Sequence, residues 1–300
     1  MSAGRRHRLP RAQPPHPHRA ARDGVVLLTA SGIAVGWGRR LASGSVPGGA
    51  HRWQRTNHAG RGVTLTEGLA LVGAVAGSAG AAAALRLAGL RAAAAVVVAA
   101  LGAGLVGAVD DLHPDAARKG LRGHLGALRH GHLTTGALKV VGLAATGVLA
   151  AGLGGRRPGR LGGLPEALLG GAVVAGCANL ANLLDLRPGR ALKAGLLVGI
   201  PMLLSGGGSL AAASATGAAL ALLPEDLAGR SMLGDTGANP LGAVLGVALV
   251  QRQGTSGRLL TLAVLTALTL ASERVSFTAV IEATPVLREL DALGRPRPSP

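Results

Sequence analysis

At 300 residues the chain is long enough for two soluble domains, but 48% hydrophobic residues, only 15% charged residues and a mean hydropathy of +0.40 exclude an ordinary soluble protein and indicate a membrane one. The net charge of +17 does not make the chain a nucleic-acid binder, because its Arg residues sit between apolar runs rather than along one polar face. The single cysteine, Cys177, lies inside an apolar run, which excludes a disulfide framework and a paired-thiol metal site.

In chain order, residues 1–23 form an Arg/Pro/His-rich arm without hydrophobic periodicity, expected to be disordered. An uncharged stretch from Gly24 to Gly38 follows. With the basic arm before it and the small residues Leu41-Ala42-Ser43 after it, this stretch also has the outline of a signal peptide. The membrane-like segments downstream favour a first span instead. Clear spans are predicted at 67–85 and 92–109, then at 135–153, 166–184, 190–205, 209–224, 237–251 and 259–272. The uncharged stretch 194–224, interrupted by Gly206-Gly207-Gly208, predicts a hairpin of two short helices. The expected fold is therefore an all-α, polytopic helix bundle of about nine membrane spans (about eight to eleven) occupying 24–275. A short cytoplasmic tail, 276–300, follows it.

Abundant Gly and Ala suit helices that approach closely in a membrane. With one Phe, two Trp and no Tyr, anchoring at the interface falls mainly to Arg. The loops at 39–66, 110–134, 185–193 and 225–236, with the C-terminus, carry 17 Lys and Arg, and the opposite short loops carry seven (Arg86, Arg91, Arg156, Arg157, Arg160, Arg252 and Arg258). The positive-inside rule makes the first set cytoplasmic. The six Arg of the N-terminal arm point the other way.

The 14 acidic residues are the most informative. Asp110-Asp111 ends one span, Asp185 ends another and Asp235 opens a third, all on the predicted cytoplasmic side. Carboxylates at membrane-helix ends are costly unless paired, solvated or bound to a cation. Oxygen ligands spread over several loops suit Mg2+, which takes one or two carboxylates, waters and substrate phosphates. Gly102-x-Gly104-x-x-Gly107 has dinucleotide-binding spacing, but it lies inside an apolar helix with no preceding strand, so these glycines are read as helix-packing positions. In Leu233-Gly-Asp-Thr-Gly-Ala-Asn-Pro240, Gly234 and Gly237 allow a tight turn, and backbone N–H groups can face a phosphate as a helix begins nearby; a plain turn fits the pattern too. His113, His124, His130 and His132 match no standard zinc spacing.

Taken in order between apolar spans, these motifs resemble the polyprenyl-phosphate N-acetylhexosamine-1-phosphate transferase superfamily, which includes the phospho-N-acetylmuramoyl-pentapeptide transferases. The likeness runs from about Arg55 to Leu290 and rests on five pieces: Arg61-Gly-Val-Thr-Leu-Thr-Glu-Gly68, Gly107-Ala-Val-Asp-Asp111, Lys119-Gly-Leu121, Asn179-x-x-Asn182-x-x-Asp185 and Gly234-Asp-Thr-Gly237. The resemblance implies transfer of a phospho-sugar from a UDP-sugar to a polyprenyl phosphate, with release of UMP, at the cytoplasmic face of a bacterial inner membrane. By the same resemblance, Asp235 would hold Mg2+, and Asp110 and Asp111 would handle the prenyl phosphate or the metal. Asn179, Asn182 and Asp185, with Gly234, Thr236 and Gly237, would bind substrate. A homodimer is compatible with this reading. Lys119 and Arg122, just beyond the aspartate pair, are candidate phosphate clamps.

Three departures stand out. The family continues its Asp185 motif with Gly-x-Asp-Gly, whereas this chain has Leu186-Arg-Pro-Gly189 and lacks the second acid. Met232 stands where an aromatic is expected, and the His-rich loop near the C-terminus is absent. Arg187 and Arg190 are candidate replacement contacts to phosphate. The competing expectation is a non-catalytic paralogue that binds prenyl phosphate or assists envelope assembly. A transporter would place its ionisable residues near the bilayer midplane, often in repeated halves, and neither feature is present.

Overall fold

The apolar runs are built mainly from Ala and Leu, the residues of highest helix propensity, and each folds as a helix. The computed structural model describes residues 17–56, 60, 62–113, 135–154, 163–205 and 209–296. Among them α1 spans Pro17–Ala42, α2 Thr66–Ala84, α3 Leu90–Leu112, α4 Thr135–Gly154 and α5 Gly163–Leu184. Then come α6 at Arg190–Leu204, α7 at Leu210–Leu227, α8 at Gly234–Arg252 and α9 at Thr255–Ser272. Two short helices, α10 (Phe277–Ala283) and α11 (Pro285–Ala292), close the described chain.

The all-α expectation holds, and α1–α9 coincide with the nine predicted spans. Five of these helices, α2, α3, α4, α5 and α9, are long and apolar enough to cross a membrane. The others fall short for visible reasons: α6 has 15 residues, and α8 opens on the polar run Gly-Asp-Thr-Gly-Ala-Asn. Nine crossings therefore do not follow from length and hydropathy alone.

Successive helices run in alternating directions, which sorts their ends into two groups. At one end, Asp23 of α1, Leu87 after α2, Ser209 before α7 and Gln251 of α8 surround a single small cavity. Also at this end, Arg91 of α3 donates to the Gly152 carbonyl of α4, Arg252 of α8 to the Met202 carbonyl of α6, and Arg258 of α9 to Glu166 of α5. At the other end lie the predicted site residues. The α1 start belongs to the first group, so its basic arm still opposes the charge bias. Residues 17–23 of that arm are helical rather than disordered, and 1–16 lie outside the described residues. α1 is built into the bundle: Val26, Ala30 and Ala34 are buried, and Gly217 of α7 abuts the Leu27 carbonyl.

Small residues set how closely the helices pack. Ala70, Ala74, Ala99, Ala103, Ala211 and Ala215 have no exposed surface, so the interior is filled by backbone approach rather than bulky side chains. The glycines of the α3 repeat lie at such contacts. Gly102 faces the Thr146 side chain of α4, Gly104 faces Val72 of α2, and Gly107 rests on the backbone of Asp235 and Thr236.

The two short helices of the tail were not anticipated, nor was a small sheet. A two-stranded antiparallel sheet, β1 (Gln54–Thr56) with β2 (Gly62–Thr64), crosses the site end between α1 and α2. Trp53 anchors it: the ring is buried and its Nε1 donates to the Pro47 carbonyl at 2.8 Å.

Candidate functional site

The first turn of α8 is the centre of the site. Gly107 lets α3 lie directly on the Asp235–Thr236 backbone, where any Cβ would collide with the Asp235 carbonyl. One turn further along α3, the same face presents Asp111. Its Oδ2 accepts from the Thr236 hydroxyl at 2.6 Å and the Thr236 N–H at 2.8 Å, and its Oδ1 accepts from the Asp235 N–H at 3.2 Å. Gly234, at φ 59, makes the turn that aims these N–H groups at Asp111. Of the two readings of this turn, a phosphate cradle or a plain turn, the structure has a carboxylate of the chain itself at the positive end of the helix. Gly237 serves close packing rather than the turn, since it lies in the helix against the Cα of Gly68.

Asp110 and Asp235 meet at a lysine that sequence reasoning missed. Lys139, at the start of the second turn of α4, donates to Asp110 Oδ2 at 3.3 Å and also to Asp235 Oδ2. A lone lysine in an apolar helix was the available signal, because an ionisable group there is costly without a role. Arg55 from β1 donates to the backbone carbonyl of Asp111.

Beside this cluster opens a cavity of about 340 Å3. Asp111, Asn182, Asp185, Gly234 and Asp235 line it, as do Arg55, Arg187, Asp226 and Met232. Asp226, at the end of α7, was also missed; it brings a carboxylate to the cavity although the motif after Asp185 lacks its second acid. Buried oxygens of Asp185, Asp226 and the neighbouring Glu67 have no hydrogen-bond partner within the protein. Burial, then the charges of Asp226, Asp235 and Asp111, hold the Asp185 carboxyl well above its ordinary range, against one favourable bond from the Gly234 N–H.

A second, apolar cavity of about 350 Å3 runs between α5, α6, α8 and α9. Its lining extends from Leu184 and Ala191 at the site end to Leu249 and Leu260 towards the other. The two cavities share the last turn of α5, which gives Asn182 and Asp185 to one and Ala181 and Leu184 to the other.

Other predicted residues stand elsewhere. Asn179 donates to the Thr269 hydroxyl at 3.1 Å, joining α5 to α9, and does not line the acidic cavity. Arg190 is buried and turned away from the cavity: Nε and Nη2 bind Asp291 at 2.7 and 3.0 Å, and Nη1 binds the Thr278 hydroxyl. It is therefore not the replacement phosphate contact expected from sequence. Arg187 does line the cavity and donates to Glu282 at 2.6 Å. Arg61, Lys119 and Arg122 lie outside the described residues, as do His124, His130 and His132. Among the described residues no group of three or more His, Cys, Asp or Glu is arranged to hold a metal ion.

No family model matches the chain, and no curated protein matches it.

Proposed function

We propose that this chain is a membrane-embedded transferase that passes a phospho-sugar from a UDP-sugar to a polyprenyl phosphate at the cytoplasmic face of a bacterial inner membrane. One observation carries the reading. Three helices that are distant in sequence bring Asp110, Asp111, Asp185 and Asp235 to one end of an apolar bundle, where the last three line an acidic cavity that adjoins an apolar cleft. A substrate with a charged head and a long hydrocarbon tail matches that pairing.

In the reaction, a phosphate oxygen of the lipid attacks the sugar-bearing phosphorus of the donor. The new P–O bond forms as the bond to UMP breaks, and UMP leaves as the anion. Both reactants are anions, so the repulsion between them must be offset. Asp110 and Asp235 suit Mg2+ in kind and number, and they already converge on one cation, the Lys139 ammonium. Mg2+ needs no more than one or two protein carboxylates when waters and phosphates complete its shell. Bound there, it would supply positive charge to the transferring phosphoryl group. Asp111 keeps the start of α8 in register. Arg55 and Arg187 present guanidinium groups suited to phosphate oxygens. The Glu282 partner of Arg187 is half-exposed, so exchanging it for a phosphate costs little.

Purified protein with polyprenyl phosphate, Mg2+ and a panel of UDP-sugars should release UMP with at least one donor. Turnover with UDP-N-acetylmuramoyl-pentapeptide should be weak, since replacing a stacking aromatic by Met232 costs roughly 1–3 kcal/mol by analogy with base stacking. The orientation has its own test in a Cys177→Ala background. A cysteine replacing Arg230 should react only from the cytoplasm, and one replacing Arg157 only from outside.

A non-catalytic paralogue is favoured by one observation, that Lys139 already bridges the two carboxylates proposed for the metal. Binding of polyprenyl phosphate with no UMP release from any donor would decide for it.

A further inference from the structure

The segment after α9 docks on the bundle through one side of its two short helices. Lys193 of α6 donates to the carbonyls of Leu290, Asp291 and Leu293, which caps the end of α11. Arg190 binds Asp291 and Thr278, and Gly294 lies against Leu227 at the end of α7. Because Lys193 is one turn inside α6, the segment lies level with the helix ends and does not project away from them.

Its other sides divide in a way that docking does not explain. With Val286 as origin and about 100° per residue, Val286, Leu290 and Leu293 fall within about 40° of one direction. Asp291, which marks the docked side, lies at about 140°, while Arg288, Ala292 and Glu289 occupy roughly 200–300°. The helix thus has three sides: one against the protein, one polar, and one apolar and bare. Val286 is 67% exposed, Leu290 44% and Leu293 66%. The bare side also continues a larger surface. α9 exposes Leu260, Val264 and Leu270 along its length, and Val275 and Val280 extend that apolar strip into the segment.

We propose that residues 276–293 form an interfacial strap whose apolar side rests in the headgroup boundary of the leaflet at the site end. Its occupant is the lipid surface, because the bare side is continuous with the apolar outer face of a helix long enough to span a membrane. Burial of such a face at the acyl boundary is the ordinary behaviour of a short amphipathic helix. The inference rests on the bundle being membrane-embedded. It also gives the docked side a purpose: Arg190 and Arg187 tie the strap to the Leu186–Gly189 turn, so lipid contact and the cavity wall move together.

The test uses the full chain in Cys177→Ala form, reconstituted in phosphatidylethanolamine/phosphatidylglycerol nanodiscs. Nitroxides are placed singly at positions 286, 290 and 293, at 288 and 289, and at 105 on the exposed outer face of α3 as a control. The ratio of oxygen to nickel-chelate accessibility should be several-fold higher at 286, 290 and 293 than at 288 and 289. A low ratio at the first three positions, with a high one at 105, overturns the strap alone. Protection of those three positions from both reagents overturns it in favour of a covering protein or a second copy. A low ratio at 105 removes the membrane reading, and the strap with it.

Discussion

The two ends of the bundle treat charge in opposite ways. At the end away from the site, the buried acid Glu166 faces Arg258 at 2.5 Å, and the same arginine also donates to the Val250 carbonyl. Arg252 is likewise engaged, with the Met202 carbonyl and the Ser205 hydroxyl. At the site end, Asp111, Asp185, Asp226, Asp235 and Glu67 crowd together, and buried oxygens on three of them have no protein partner. A fold selected for stability alone would not keep such groups, since each unpartnered buried acceptor is destabilising. The far end pairs Glu166 with Arg258 and leaves one buried acid, Asp23, with an unpartnered oxygen; the site end gathers five acids, three of them in that condition.

That contrast is sharpest at Glu166. Replacing it with Ala strands the Arg258 guanidinium, which is 2% exposed, and should cost about 3–5 kcal/mol. The fall will appear in the thermal unfolding of detergent-solubilised protein. Replacing both partners with Leu should restore most of the loss, because no charge is then left alone. If Glu166→Ala protein that remains folded loses turnover more than about tenfold, the division between a closed end and a working end is wrong.

Asp235→Asn should do the converse. Turnover with Mg2+ should fall by about 10²–10³-fold, the usual cost of removing one preorganised electrostatic partner. Thermal stability should stay near that of the parent. Asp110→Asn should resemble it. Normal UMP release from either variant, measured at saturating Mg2+, would remove that carboxylate from the proposed site.

A smaller effect is expected at Asp185, with a sign that follows from its environment. Its folded-state pKa is raised above the ordinary 3.8 by burial and neighbouring carboxylates. Between 3.8 and the raised value the native state holds more protons than the unfolded chain, so stability declines as pH rises through that window. Asp185→Asn removes the charge and should raise the unfolding temperature at pH 8, by less than the Glu166 penalty. The gain should fade as pH falls below the ordinary 3.8, where the parent carboxyl is protonated in both states. Equal unfolding temperatures at pH 8 would mean that Asp185 is solvated or paired there.

These contrasts explain what the sequence could reveal. Helix positions were legible because apolar runs and charged breaks alternate, and α1–α9 coincide with the predicted spans. Asp110, Asp111, Asp185 and Asp235 were legible as acids at helix ends. Their internal partners were not. Asp111 as the cap of α8 depends on Gly107 letting two helices touch, a contact between residues more than 120 apart in sequence. Lys139 is the one Lys or Arg outside the counted loops and the N-terminal arm, so its isolation was visible while its bridging of two aspartates was not. Arg190 illustrates the opposite error. Next to a degenerate motif it reads as a phosphate ligand, but an acid 101 positions away claims it.

The smallest effect concerns that claim. Burial alone would raise the Asp291 carboxyl, but Arg190 and Arg295 outweigh it and hold its pKa below the ordinary 3.8. A depressed folded-state value means that the pair stabilises docking above the unfolded-state pKa and is lost as pH falls through the lower, folded one. The α11 segment should therefore stay docked from pH 8 down to about 4 and loosen only below that, in contrast to Asp185, whose burden is greatest at high pH. Asp291→Asn should loosen it at every pH, because the neutral amide cannot satisfy two guanidinium groups, one of them buried. The mobility of a nitroxide at position 290 reads this directly. The parent spectrum should sharpen below about pH 4, and the Asp291→Asn spectrum should be sharper already at pH 7 and nearly independent of pH. A parent spectrum that loosens near pH 6 would assign the docking to a different titrating group, with Asp226, a buried acid pushed up to about 6 and acted on by Lys193 and Arg295, as the candidate.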